Sequence, residues 1–136
     1  MLQPKRIKHR KVHKSASTRR KTASRGYCLS FGSYGLKSLE ADWIKSSQIE
    51  AARRAITHHI QRGGKLWIRV FPDKPRTQKG AEVGMGGGAG SLSHFVAPIE
   101  AGRILFEMDG VAESIAREAF RLAAHKLSVK TRFIKK

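Results

Sequence analysis

The period of the apolar positions changes several times along the chain, and each change marks an element. Tyr27, Leu29 and Phe31 alternate with Cys28 and Ser30, the pattern of a short strand ending at Gly32, and a second strand is expected around 35–40. The spacing then turns helical. Ile49, Ala52, Ile56 and Ile60 fall on one face, and Ser47-Gln48-Ile49-Glu50 ahead of them has the spacing of a capping box. Gly63-Gly64 ends this helix. Alternation returns over 65–71, with Leu66, Ile68 and Val70 set against Trp67, Arg69 and Phe71, until Pro72-Asp73-Lys74-Pro75 stops the strand.

The second half repeats this alternation of elements. A Gly-rich loop covers 80–90, and 92–99 with 103–108 read as a hairpin joined near Glu100-Ala101-Gly102. After the Asp109-Gly110 turn, Val111, Ile115, Ala119, Leu122 and Ala123 share a helical face. Glu113 lies near the positive end of that helix, with His125 and Lys126 near its negative end. A last strand spans 129–134. No internal repeat is present, and residues 1–26 show no apolar periodicity at all.

Charge explains that silent stretch. The 136 residues hold 28 Lys and Arg against 10 Asp and Glu, a net +18, with a pI near 11.0. No acidic residue precedes Glu40, whereas eleven basic ones do. A like-charged run of this kind repels itself and buries too little apolar surface to fold alone, so residues 1–26 are expected to stay extended until a polyanion neutralises them. The remainder, 27–136, is long enough for one modest core and too short for two.

Other chemistries fit the residues poorly. Cys28 is the single cysteine, which excludes an intrachain disulfide and multi-cysteine zinc motifs and suits a reducing compartment. No stretch has the apolar length of a membrane span or a secretory signal. Basic, Ser-rich and acid-poor composition also describes an organellar transit peptide, which stays open as an alternative on composition alone. Gly84, Gly86 and Ala89 satisfy a permissive nucleotide-loop spacing, yet a strand-like segment follows where a helix is required. His58 and His59 are adjacent on a helix and point about 100° apart, so they do not share a metal. Glu107 and Asp109 lie on one side of a strand end and read as turn caps paired with Lys or Arg rather than as an acid/base pair. Cys28 reads as a half-buried strand residue. No catalytic residue, metal or cofactor is expected, nor a small-molecule substrate or a membrane partner.

What remains is polyanion binding. Arg53, Arg54 and Arg62 share a helix whose isoleucines face the core, and at least one of them is expected to meet phosphate. Trp67 and Phe71 share a strand face with Arg69 and could stack on bases, although core packing is the favoured reading.

Several segments, in order, resemble the large-subunit ribosomal protein sixteen family of bacteria and organelles. Pro4-Lys5-Arg6 with Lys8, Arg10-Lys11 and His13-Lys14 is similar to its N-terminal arm, and Ser30 to Lys37 to its first strand and turn. Gln48 to Ala55 is similar to its first helix, and Gly64 to Pro75 to its most specific signature. Phe106 to Val111 and the helix from Ala116 onward complete a likeness that covers essentially the whole chain. The resemblance implies an α/β (α+β) fold of the α/β-hammerhead type, a small mixed sheet with two helices behind an extended basic arm. It also implies a structural, non-enzymatic constituent of the large ribosomal subunit that supports translation and subunit assembly.

The partners so implied are large-subunit rRNA, tRNA at the A and P sites near the peptidyl-transferase centre, and other large-subunit proteins. The expected rRNA-binding residues are Lys5, Arg6, Lys8, Arg10, Lys11, His13, Lys14, Arg19, Arg20, Arg53, Arg54, Arg69 and Lys74. The loop Gly84, Met85, Gly86, Gly87, Gly88, Ala89 and Gly90 is expected beside tRNA. Here the chain departs from the family's Arg-Met-Gly-Lys-Gly-Lys-Gly, since Gly84, Gly87 and Ala89 stand at the three basic positions. Gly84 also cannot carry the Arg hydroxylation found there in some bacteria. A cytoplasmic ribosome is the expected location, with an organellar one as the alternative. The rival functions are a free-standing basic protein that compacts DNA or RNA and a small nucleotide-dependent enzyme.

Overall fold

The computed structural model describes residues 1–13, 21–61 and 63–136. Lys14, Arg19, Arg20 and Arg62 lie outside the described residues. The elements run β1 (Tyr34–Ser38), β2 (Asp42–Lys45), α1 (Ser46–His59), β3 (Lys65–Ile68), β4 (Lys74–Gln78), β5 (Ser91–Ile99), β6 (Ile104–Asp109), α2 (Glu113–Ala124) and β7 (Thr131–Lys135). They form an α+β fold with two antiparallel sheets, ordered β3-β6-β1-β7 and β2-β5-β4. The helices pack on each other, α1 also meeting β2 and β5 while α2 meets β1 and β7. No helix among the described residues is long and apolar enough to cross a membrane.

One core joins these layers. Ile49, Ala52 and Ile56 of α1 and Ala116, Ala119, Phe120 and Ala123 of α2 are buried against Leu36, Ile44, Ala97, Phe106 and Met108. The small alanines let the two helices approach closely, and Phe120 fills the space they leave. Strand β6 is buried at five consecutive positions, Ile104 to Met108. It is paired along both edges, with β3 and β1, and the unbroken burial shows that its side chains are covered on both faces.

That burial pattern explains why the expected hairpin is absent. β5 and β6 are consecutive strands but belong to different sheets, and the chain crosses between them at Gly102, whose φ is 94°. The Gly102 amide donates to the Ser38 carbonyl at 2.7 Å, joining the crossing to β1. The alternating segment at 27–31 is not a ladder strand either, because its amides turn toward a buried carboxylate described below. β2 and β4 were not expected. Both are short edge strands, and Pro75 of β4 is the kind of residue a sheet tolerates only at an edge.

Two helix expectations also shift. α1 starts at Ser46 with Lys45 in the cap position, and the Lys45 amide donates to Gln48 Oε1 at 2.8 Å. The Ser47–Glu50 box is therefore not formed, and Glu50 pairs with arginines instead. On α2 the buried face is Ala116, Ala119, Phe120 and Ala123, while Ile115 is 43 % exposed. The face is rotated because Phe120, the largest apolar residue of the helix, takes the core.

Candidate nucleic-acid interface

The arm runs extended over residues 1–13, with no helix or strand, and carries Lys5, Arg6, Lys8, Arg10, Lys11 and His13 exposed. Two anchors tie the N-terminal segment to the domain. Leu2 packs against the core. Farther on, the Ala23 amide donates to the Ala101 carbonyl at 2.8 Å, the Ile104 amide to the Gly26 carbonyl at 2.9 Å, and Arg103 to the Arg25 carbonyl at 2.9 Å.

The Gly-rich loop sits beside the arm. Lys11 Nζ donates to the Ala89 carbonyl at 3.0 Å, and Lys79 Nζ, at the base of the loop, donates to the carbonyls of Gly84 and Gly86. A side chain added at Gly84, Gly86, Gly87 or Gly88 would meet nothing within 4 Å. Gly86, Gly87 and Gly88 all have positive φ (98°, 67° and 87°), whereas Gly84 does not. The loop thus exposes bare backbone, and its two nearby cations arrive from elsewhere in the chain.

The expected arginines divide into committed and available groups. Arg69 is committed: its guanidinium pairs with Glu107 and lies 4.9 Å from the Phe31 ring centroid, leaving the side chain 18 % exposed. Glu107 is fully buried on β6 and also accepts the amides of Ser30, Phe31 and Gly32 at 3.1, 2.6 and 2.9 Å. Burial pushes its pKa up, but the Gly32 and Phe31 amides, the Arg69 guanidinium and the Ser30 amide outweigh that and hold it below the usual carboxylate range. Its neighbour Asp109 accepts the Ser33 hydroxyl at 2.8 Å. The pair expected to cap a turn instead fastens the whole 30–33 segment to the sheet.

Helix α1 presents a looser arrangement. Glu50 accepts from Arg53 at 2.7 Å and Arg54 at 3.1 Å, and the hydrogen bond from Arg53 brings its pKa to about 2. Two cations share one anion, so the face keeps net positive charge, with Arg54 73 % exposed. Lys74 lies 4.6 Å from the centroid of the Trp43 ring.

Trp67 is not in the core. Its ring is half-buried and stacks on Phe31 at 6.1 Å between centroids, and Phe31 is itself 59 % exposed. Phe71 is 48 % exposed. Phe71 lies beyond the end of β3, so the two aromatics do not share the strand face expected of them. Cys28 is exposed in an irregular segment rather than half-buried in a strand. His58 is exposed, His59 half-buried, and no group of three or more potential metal ligands occurs among the described residues.

Two features went unseen in the sequence. Trp43 and Arg76, whose guanidinium lies 4.4 Å from the Trp43 ring centroid, escaped because β2 and β4 were not recognised; the Lys74-Pro75-Arg76 alternation was the available signal. The Lys11 and Lys79 contacts with the loop join residues 78 and up to seven positions apart, and the longer of these leaves no trace in local spacing.

A basic extended arm laid against an open loop, on a domain where Glu50, Glu107, Glu113 and Glu118 are paired with its own arginines, is a surface for a large polyanion. The family model for ribosomal protein L16p/L10e matches residues 4–134. The chain therefore belongs to the ribosomal protein L16p/L10e family, as a structural, rRNA-binding protein of the large ribosomal subunit that serves translation.

Proposed function

We propose that residues 1–26 act as an rRNA-binding arm and residues 27–136 as the domain that seats it, with the loop 84–90 facing tRNA at the A and P sites near the peptidyl-transferase centre. Lys5, Arg6, Lys8, Arg10, Lys11, His13, Lys14, Arg19 and Arg20 neutralise rRNA phosphates, assisted by Arg53, Arg54 and Lys74. Arg69 acts from its pair with Glu107, as a partly exposed cation at the edge of the Phe31–Trp67 stack. Neighbouring large-subunit proteins complete the environment, and the ribosome concerned is the cytoplasmic one.

The observation that carries this reading is the contact between Lys11 and the Ala89 carbonyl. It makes the most basic segment and the most open loop one continuous surface, so a polyanion held by the arm lies beside the loop. Bare backbone at Gly84 to Gly88 permits close approach of a second RNA. Charge from the arm and open space at the loop suit a site where rRNA is held permanently and tRNA passes.

Large subunits reconstituted with a chain lacking 84–88 test the tRNA part. Weaker A-site tRNA binding with normal assembly is expected; unchanged tRNA affinity at both sites would refute it. Hydroxyl-radical footprints of rRNA, with and without Gln at Lys5, Arg6, Lys8 and Arg10, test the arm. Protection that survives all four changes would refute its role.

A further inference from the structure

A cleft of about 470 Å³ lies along the seam between the two sheets, and its lining includes Arg69, Phe71, Asp73, Pro98, Glu100 and Arg103. Its walls are the stretches by which the chain passes from one sheet to the other: 69–73 leads from β3 into β4, and 100–103 leads from β5 into β6. The walls lie side by side. β4 and β5 are antiparallel, with Lys74 opposite Val96, so the stretch that enters β4 runs alongside the last residues of β5. Each wall is pinned from within. Val70 and Pro72 are buried on one side and Ala97 and Ile99 on the other, which leaves Phe71, Asp73 and Pro98 exposed and Glu100 half-buried at the opening.

The cleft carries charges of both signs. The carboxylates of Asp73 and Glu100 make no hydrogen bond or ion pair among the described residues, although Glu50, Glu107, Glu113 and Glu118 are all taken up by arginines. In a chain of net charge +18, two carboxylates without a partner are acceptors open to a ligand. Arg103 supplies donors in the same cleft. One of its nitrogens donates to the Arg25 carbonyl at 2.9 Å, and a guanidinium has further N–H groups to offer. The same bond brings the end of the basic arm to the cleft, so RNA held by the arm passes its mouth. Phe71, 48 % exposed, adds an aromatic ring.

We propose that this cleft receives one unstacked guanine of the large-subunit rRNA, whose N1–H and N2–H groups donate to the carboxylates of Asp73 and Glu100 while its ring lies against Phe71 and its O6 and N7 accept from Arg103. Guanine is the base these charges select. Its Watson–Crick edge presents two adjacent donors to a carboxylate, whereas adenine, cytosine and uracil each turn at least one acceptor lone pair toward it, which leaves the carboxylate unsatisfied. A metal ion or a basic side chain is disfavoured because Arg69 and Arg103 line the same cleft, and a bare phosphate because the two carboxylates repel it. The proposal rests on the rRNA-binding reading above and adds recognition of a base to attachment by charge.

The test probes large-subunit rRNA with kethoxal, which forms its adduct across N1 and N2 of an unpaired guanine, in reconstituted subunits that contain the full chain. Wild-type chain is expected to protect a guanine that stays reactive when the chain carries Asp73→Asn with Glu100→Gln, and the thermal midpoint should not change. Affinity for the rRNA gives a second readout of opposite sign. Removing two carboxylates makes the chain more positive, so attraction to phosphate alone would tighten binding, whereas loss of the guanine contact should weaken it by about tenfold. A double variant that protects the same guanines as wild type, or binds rRNA more tightly, would overturn the cleft site; hydroxyl-radical protections by the arm in the same subunits would leave the rRNA reading intact. Wild-type chain that protects no rRNA against either reagent would overturn both. Should the double variant unfold, ultraviolet cross-linking of wild-type chain within the subunit decides. Guanosine attached to the peptide containing Phe71 supports the site, and attachment of another base there, or of RNA to the arm alone, overturns it.

Discussion

Segments 27–33 and 80–90 both lack helix and strand, yet they are organised by charges of opposite sign. In the first, a buried anion gathers amides: Glu107 takes those of Ser30, Phe31 and Gly32. In the second, exposed cations gather carbonyls: Lys79 holds Gly84 and Gly86, and Lys11 holds Ala89. A buried carboxylate has no water to return to, so the segment around it is fixed. A surface ammonium can exchange a carbonyl for water or phosphate at little cost. The two segments are therefore suited to different work, the first to holding shape and the second to yielding to an incoming polyanion.

The largest effect expected from breaking this comparison is at Glu107. Glu107→Ala leaves Arg69 and three amides without their acceptor, and should destabilise the domain by about 3–5 kcal/mol in denaturant unfolding. Lys79→Ala removes only a surface contact and should cost under about 1 kcal/mol. Comparable losses in the two variants would erase the distinction.

Acid sharpens the same point. The folded pKa of Glu107 is depressed, so its contribution to stability is complete above the unfolded value of about 4.3 and is lost as pH falls through the folded value. Glu50 behaves likewise, its contribution fading between about 4.3 and about 2. The stability gap between wild type and Glu107→Gln should be constant at neutral pH and narrow below pH about 4. A gap that persists at pH about 2 would show that packing, rather than the carboxylate charge, anchors the 30–33 segment.

Trp67 offers an intermediate case, because it stands beside the fixed segment without being core. Trp67→Ala should cost about 1–2 kcal/mol, for a half-buried ring stacked on Phe31, instead of the about 3–5 kcal/mol of a fully buried one. A thermal melt of the variant measures which value holds.

These cases also show what the sequence made legible. Both helices, the cationic arm and the position of the Gly-rich loop follow from local period and charge, which need only neighbours within a few residues. The partition into two sheets does not, since β5 and β6 each look like half of a hairpin and only the burial of β6 on both faces separates them. The anchoring of 30–32 was hidden because its acceptor lies 75 to 77 residues away. Glu107 and Asp109 were recognisable as paired carboxylates, but not their partners. Trp43 escaped because its platform requires three strands in register, two of them too short to announce themselves.

The smallest expected effect, and the most discriminating, concerns the glycines of the open loop. Gly84 has neither a positive φ nor a neighbour within 4 Å of an added side chain, whereas Gly87 has equal space but a φ of 67°. Gly84→Arg should leave stability unchanged, and Gly87→Arg should cost about 1 kcal/mol for a side chain forced into the left-handed region. If the loop yields to a polyanion as proposed, Gly84→Arg should also strengthen the reconstituted subunit's hold on tRNA, and raising salt should abolish the gain. The Lys79 contacts make a further distinction possible, because the ammonium occupies the carbonyls of Gly84 and Gly86 and should repel an arginine placed beside it. Combining Gly84→Arg with Lys79→Met relieves that repulsion while keeping the net charge of the wild type. Should the double variant bind tRNA no better than wild type while the single variant does, added charge is the cause. If both bind better, the position of the charge on the loop decides, and Lys79 is a support for the backbone rather than a substitute for the missing basic side chains.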